Sequence, residues 1–111
     1  MNIVDWLTGC FSNRRRAMSL YKRGVSRGRK HNRQGAIDDY TATIAMRDTP
    51  EEVKAMALYH RALVHVAVGD EAKGVDDLNE ILAMDERLCN VKTMARHRLA
   101  GLASRAHEKH A

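Results

Sequence analysis

Six histidines, two cysteines and two adjacent aspartate pairs are the side chains in these 111 residues with the types to do chemistry. Metal binding by histidines on a helix needs them three or four apart on one face. His60 and His65 are five apart, and His31 and His97 stand alone; His107 and His110 have the spacing but lie at the very end of the chain. Cys10 and Cys89 form no CxxC pair and join no His cluster, so the expectation is free thiols in a reducing cytoplasm. Acid–base work needs carboxylates that converge, whereas Asp38-Asp39 and Asp76-Asp77 are neighbours whose side chains diverge on a helix. Both pairs recur with an arginine, Arg23 for the first and Arg61 for the second, at the same separation. A charge pair that repeats with its surroundings reads as a structural Arg–Asp contact inside each unit. With no glycine-rich phosphate loop and no nucleophile motif, the chain is expected not to be an enzyme and to use no metal or cofactor.

That repetition extends along the chain. MSLYKRGV at 18–25 meets MALYHRAL at 56–63, and AIDDYTATIAM at 36–46 meets GVDDLNEILAM at 74–84, both at an offset of 38 residues without a gap. A third start follows: VKAMA at 53–57 matches VKTMA at 91–95, so Met18, Met56 and Met94 are equivalent. Self-similarity at this period signals stacked supersecondary units.

Each unit reads as two helices. Ala17, Leu20, Tyr21, Gly24 and Gly28 form an apolar stripe continued by Ala36, Ile37, Tyr40 and Ile44. In the second unit Ala55, Leu58, Ala62 and Val66 lead to a Gly69-Asp70 break, then Val75, Leu78, Ile81 and Leu82. Gly24, Ala36, Ala62 and Gly74 are the small residues where paired helices come close. Thr49 is expected to cap the helix that Pro50, Glu51 and Glu52 begin. The resulting fold is all-α. An N-terminal amphipathic segment (1–13) precedes a helical domain (14–111) with repeats at about 17–47 and 55–86 and a partial third unit at about 88–108.

The run from Ala57 to Asp85 resembles the tetratricopeptide repeat, with Leu58, Ala62, Gly69-Asp70, Gly74, Leu78 and Ile81 at that family's large, small and turn positions. The first unit matches at Leu20, Gly24, Ala36, Tyr40 and Thr43, but has His31-Asn32 where the family has Gly-Asp; Glu86 stands where proline is frequent. The resemblance implies a right-handed stack of antiparallel helix pairs whose concave face receives a peptide or helix from a protein partner. Carried over position by position, it assigns that face to Met18, Tyr21, Val25, Gly28 and Arg29, to Met56, Tyr59, Leu63, Val66 and Ala67, and to Met94, His97 and Gly101. The family's basic clamp for a C-terminal carboxylate requires Lys and Asn where this chain has Tyr21, Val25, Met56 and His60, so chaperone-tail binding is not implied.

Charge and the first residues leave alternatives open. Residues 1–33 hold nine Lys or Arg against Asp5 alone, while the remainder holds ten against thirteen acids. A basic end of this kind suits a solvated surface, an acidic protein, nucleic acid or anionic lipid. Nucleic acid is the second reading, through Arg14, Arg15, Arg16, Arg27, Arg29, Lys30 and Arg33, although no aromatics are interleaved for base stacking. Ile3, Val4, Trp6, Leu7, Cys10 and Phe11 make a short amphipathic helix, too short to stand alone in water. It is expected to pack on its own domain, on a second copy to give a homodimer, or on a membrane surface. No apolar run is long enough for a transmembrane segment.

Overall fold

The computed structural model describes residues 3–109, apart from the side chains of 5–11 and 109. Five helices follow one another: α1 (Ile3–Arg29), α2 (Arg33–Ala45), α3 (Glu51–Ala67), α4 (Glu71–Leu82) and α5 (Cys89–Lys109), the last introduced by a 3₁₀ turn at Glu86–Leu88. No strand occurs among the described residues. The helices pack in sequential neighbours, α1 on α2, α2 on α3, α3 on α4 and α4 on α5, and α3 also lies beside both α1 and α5. The odd-numbered helices therefore share one side of the molecule.

The 38-residue offset holds in three dimensions at the hairpin turns and at the Arg–Asp pairs. At the first hairpin turn His31 adopts a left-handed φ of 63°, and at the second Gly69 adopts 88°. The backbone N–H of Asn32 donates to the Arg27 carbonyl at 2.8 Å, and that of Asp70 to the His65 carbonyl at 2.8 Å. The same turn is thus built once with glycine and once with histidine at a position that disfavours a side chain. The Asn32 side chain caps α2 by accepting from Gly35 N–H at 3.1 Å. Asp70 occupies the same position before α4 without a side-chain cap bond, and pairs with Lys73 instead.

The expected close approaches are present. A Cβ on Gly24 would lie 2.7 Å from Tyr40 Cε1, and one on Gly74 would lie 2.7 Å from Val66 Cγ2. Ala17, Ala36, Ala55, Leu58, Ala62, Leu78 and Ile81 are buried, so both stripes face inward. The main core joins α3, α4 and α5, and a smaller one joins Ala36 and Tyr40 of α2 to Ala57 of α3. Every buried side-chain polar atom among the described residues has a partner. Lys92 is buried along its whole side chain, and its ammonium donates to the exposed Glu86 carboxylate at 2.9 Å.

Two expectations require correction. The N-terminal segment is not a separate short helix, because α1 runs unbroken from Ile3 to Arg29. No proline interrupts that stretch, and Gly9 alone is too weak to end a helix of 27 residues. Thr49 does not cap α3. Pro50 takes the cap position, and the Thr49 hydroxyl donates to the Thr43 carbonyl at 2.6 Å, closing the end of α2. Ile3 and Val4 are exposed, while the Trp6, Leu7, Cys10 and Phe11 part of the apolar stripe lies outside the described side chains.

α5 is written differently from its equivalents. Where α3 has the buried Leu58, α5 has the exposed Arg96, and where α3 has Arg61, α5 has Leu99. On α5 the Leu58 position is thus turned to water, while Leu99 packs against the main core.

Candidate functional site

In each hairpin one aspartate is buried and held by the facing helix, as its recurrence requires. Arg23 donates to Asp39 through Nε at 3.0 Å and Nη2 at 2.8 Å. Arg61 donates to Asp77 through Nε at 2.8 Å and Nη2 at 2.7 Å. The second ligand of each carboxylate is also equivalent. Arg27 lies 3.2 Å from Asp39, and His65, 38 residues later, lies 3.9 Å from Asp77. Bidentate arginine geometry makes these the strongest polar ties between paired helices. Asp38 bonds Gln34 on the surface, and neither aspartate pair converges on a common site.

His60 points the other way from His65. It sits among all three tyrosines of the chain, with ring centroids 5.9 Å from Tyr21, 6.0 Å from Tyr40 and 5.8 Å from Tyr59. Burial lowers its pKa, and the nearby Arg29 guanidinium lowers it further. Burial is also the main cause that pushes the Tyr40 hydroxyl up to about 12. His65 is lowered by burial too, against the opposing pull of Asp77. A histidine whose folded pKa is depressed stays neutral in the native state while the unfolded chain takes up a proton near pH 6.5. Its contribution to stability is complete above 6.5 and is lost as pH falls from there toward the folded value. Denaturant midpoints are therefore expected to drop between pH 7.5 and 5.5, and to drop less in His60→Phe. An unchanged slope in that variant would exclude His60 as a source.

The shared side of α1, α3 and α5 carries two hollows that meet at Leu63 and Ala67. The first, about 440 Å³, is lined by Leu63, Val66, Ala67, His97, Arg98, Gly101, Leu102 and Arg105 among others. The second, about 350 Å³, is lined by Val25, Gly28, Arg29, Tyr40, His60 and Leu63 among others. A further recess of Tyr21, Lys22, Val25, Ser26, Arg29 and His60 continues along α1. Of the positions carried over from the repeat resemblance, Tyr21, Val25, Gly28, Arg29, Leu63, Val66, Ala67, His97 and Gly101 line this groove. Tyr59 does not: it is buried, and its hydroxyl accepts from Arg98 Nε at 3.1 Å, tying α3 to α5. Met56 packs against the main core, and Met18 and Met94 are exposed but line none of these hollows.

Lys22, Arg33, Tyr40, His60, Arg98, Leu102 and Arg105 are among the groove-lining residues that the carried-over positions do not include. The signal was available for four of them. Lys22, His60 and Arg98 are one repeat apart from each other, as are Arg29, Ala67 and Arg105.

Among the described residues no group of three or more His, Cys, Asp or Glu is placed to hold a metal ion, and no helix is long and apolar enough to cross a membrane. Cys89 is a free, exposed thiol. Compared with protein-family models, curated proteins and solved structures, the chain matches none.

Proposed function

We propose that this protein is an interaction module of the tetratricopeptide type, binding a peptide or helical segment of a partner protein in the groove along α1, α3 and α5. The observation that carries the reading is the joined pair of hollows, with an apolar floor of Val25, Leu63, Val66 and Leu102. Clefts with apolar floors and polar margins are what amphipathic segments occupy. The internal equivalences support the repeat: two hairpins share a turn, an ion-pair arrangement and a close-packing position at one offset. The exposed thiol of Cys89 fits a reducing compartment such as the cytoplasm.

Leu63 is the discriminating residue, since it lines both hollows and is only half-buried. Peptides of about 15 residues, long enough to span a groove of this kind as a helix of about 22 Å, would be selected from a displayed random library against the folded protein. Leu63→Asn is expected to weaken the selected peptides by about tenfold, as loss of a central apolar anchor does, with helical circular dichroism retained. Selected peptides that bind Leu63→Asn as well as wild type would place the binding site elsewhere.

A further inference from the structure

We propose that the occupant of the groove is an acidic amphipathic helix, with carboxylates along both flanks of an apolar stripe. This rests on the reading of the groove as a peptide site and specifies its partner.

The charges around the groove are of one sign. Lys22, Arg29, Arg33, Arg98 and Arg105 line it, and among the described residues no aspartate or glutamate does. Carboxylates are not scarce in the chain, which has fourteen. They line the other hollows instead: Glu71 and Asp76 between α4 and α5, and Glu51, Glu52 and Asp85 near the 3₁₀ turn. Nor are these five cations engaged. Arg23, Arg27, Arg61, Lys73, Arg87 and Lys92 each hold a carboxylate, whereas among the described residues none of the groove five does. Arg98 gives one N–H to Tyr59, an uncharged acceptor.

The placement of four of them follows the repeat. Lys22 and Arg29 are seven residues apart on α1, and Arg98 and Arg105, seven apart on α5, stand two repeats further on at the same positions. Seven residues is close to two helical turns, or about 10.5 Å, so each pair lies on one face of its helix. At the intervening positions on α3 the chain has His60, held neutral by burial, and Ala67. The groove is thus cationic on both rims and apolar along the middle. Rims carried by helices on either side of α3 stand about 16–20 Å apart. A guest helix about 10–12 Å across fits that span and brings its flanks within reach of long Lys and Arg side chains. An extended strand is too narrow to meet both rims.

A polyanionic nucleic acid would satisfy the rims but not the floor, where Val25, Leu63, Val66 and Leu102 present no hydrogen-bonding side chain. The groove's tyrosine and histidine rings are packed on one another rather than spread as stacking platforms.

The test compares the peptides enriched from the displayed library with a single-stranded oligothymidylate of about 20 nucleotides, site sizes for such strands being of that order. Enriched peptides are expected to carry net negative charge, apolar residues at helical spacing and acids seven apart. Their affinity should fall with added salt and fall about tenfold in Arg29→Glu/Arg105→Glu, two exposed positions whose side chains make no hydrogen bond or ion pair among the described residues. Glu-to-Lys peptides should recover affinity on that variant. Neutral or basic peptides that still depend on Leu63 would overturn the acidic partner and leave the peptide site standing. Binding that ignores Leu63 would remove both. Oligothymidylate binding tighter than any peptide, lost on charge reversal and indifferent to Leu63→Asn, would assign the rims to phosphates instead.

Discussion

Asp77→Ala is expected to lower the unfolding free energy by about 3 kcal/mol, the range seen when one partner of a buried ion pair is removed. The reason lies in what stays behind. Arg61 and His65 face Asp77 with side chains only 18% and 12% exposed. Without the carboxylate, Arg61 keeps only a 3.2 Å bond to Thr41, and its charge cannot move into water without disrupting the α3–α4 contact. His65 loses the larger of the two influences, Asp77 and Asp70, that favour its protonation. Asp39→Ala removes the equivalent carboxylate with a different consequence. Arg23 and Arg27 are 55% and 37% exposed, so both can turn to solvent, and the loss should be distinctly smaller. Urea unfolding of the two variants under one condition compares them directly. Replacing Arg61 and Asp77 together with Met and Leu should recover most of the loss, since no buried charge then lacks a partner. If Asp39→Ala costs as much as Asp77→Ala, exposure of the arginines is not what separates the two sites.

How far sequence alone reached depends on which interactions are local. The hairpins and their facing stripes were readable because helical period and a repeated offset are both properties of residues near one another. The Arg–Asp ties were readable because a pair that recurs with its unit must be internal to it. The groove was readable only in part. Positions were transferred from the family pattern, and that pattern does not know that Arg98 draws the Tyr59 hydroxyl toward α5. Nor does it know that His60 gathers rings from three helices. Met56 meets the core that α3, α4 and α5 make together, a contact between units that no single unit encodes. The unbroken α1 was missed for the opposite reason. The apolar stripe from Ile3 to Phe11 reads as a short helix of its own, but the end of a stripe does not stop a helix when nothing in the backbone does.

The sharpest test of the repeat itself uses one close-packing position. Gly24 and Tyr40 in the first unit correspond to Ala62 and Leu78 in the second. A smaller residue on the first helix faces a larger one on the second, so the volumes compensate. Gly24→Ala alone would set a methyl 2.7 and 2.9 Å from Tyr40 ring carbons and 3.2 Å from Asp39 Cβ. The ring cannot yield easily, because Tyr21 and His60 pack against it. Overpacking of this kind costs up to about 3 kcal/mol, and replacing a mid-helix glycine returns about 1, leaving a net loss of about 2 kcal/mol. Tyr40→Leu alone opens a void and loses its ring contacts, again about 2 kcal/mol. Combined, the two changes write the second unit's pairing into the first, and the double variant should be more stable than the sum of the single losses by 1 kcal/mol or more, about the coupling expected of touching residues. Gly28 and Ala36 allow the same exchange toward Val66 and Gly74, where the larger residue has moved to the other helix. Simple additivity at Gly24 and Tyr40 would mean that the two hairpins share a sequence pattern without sharing a packing solution.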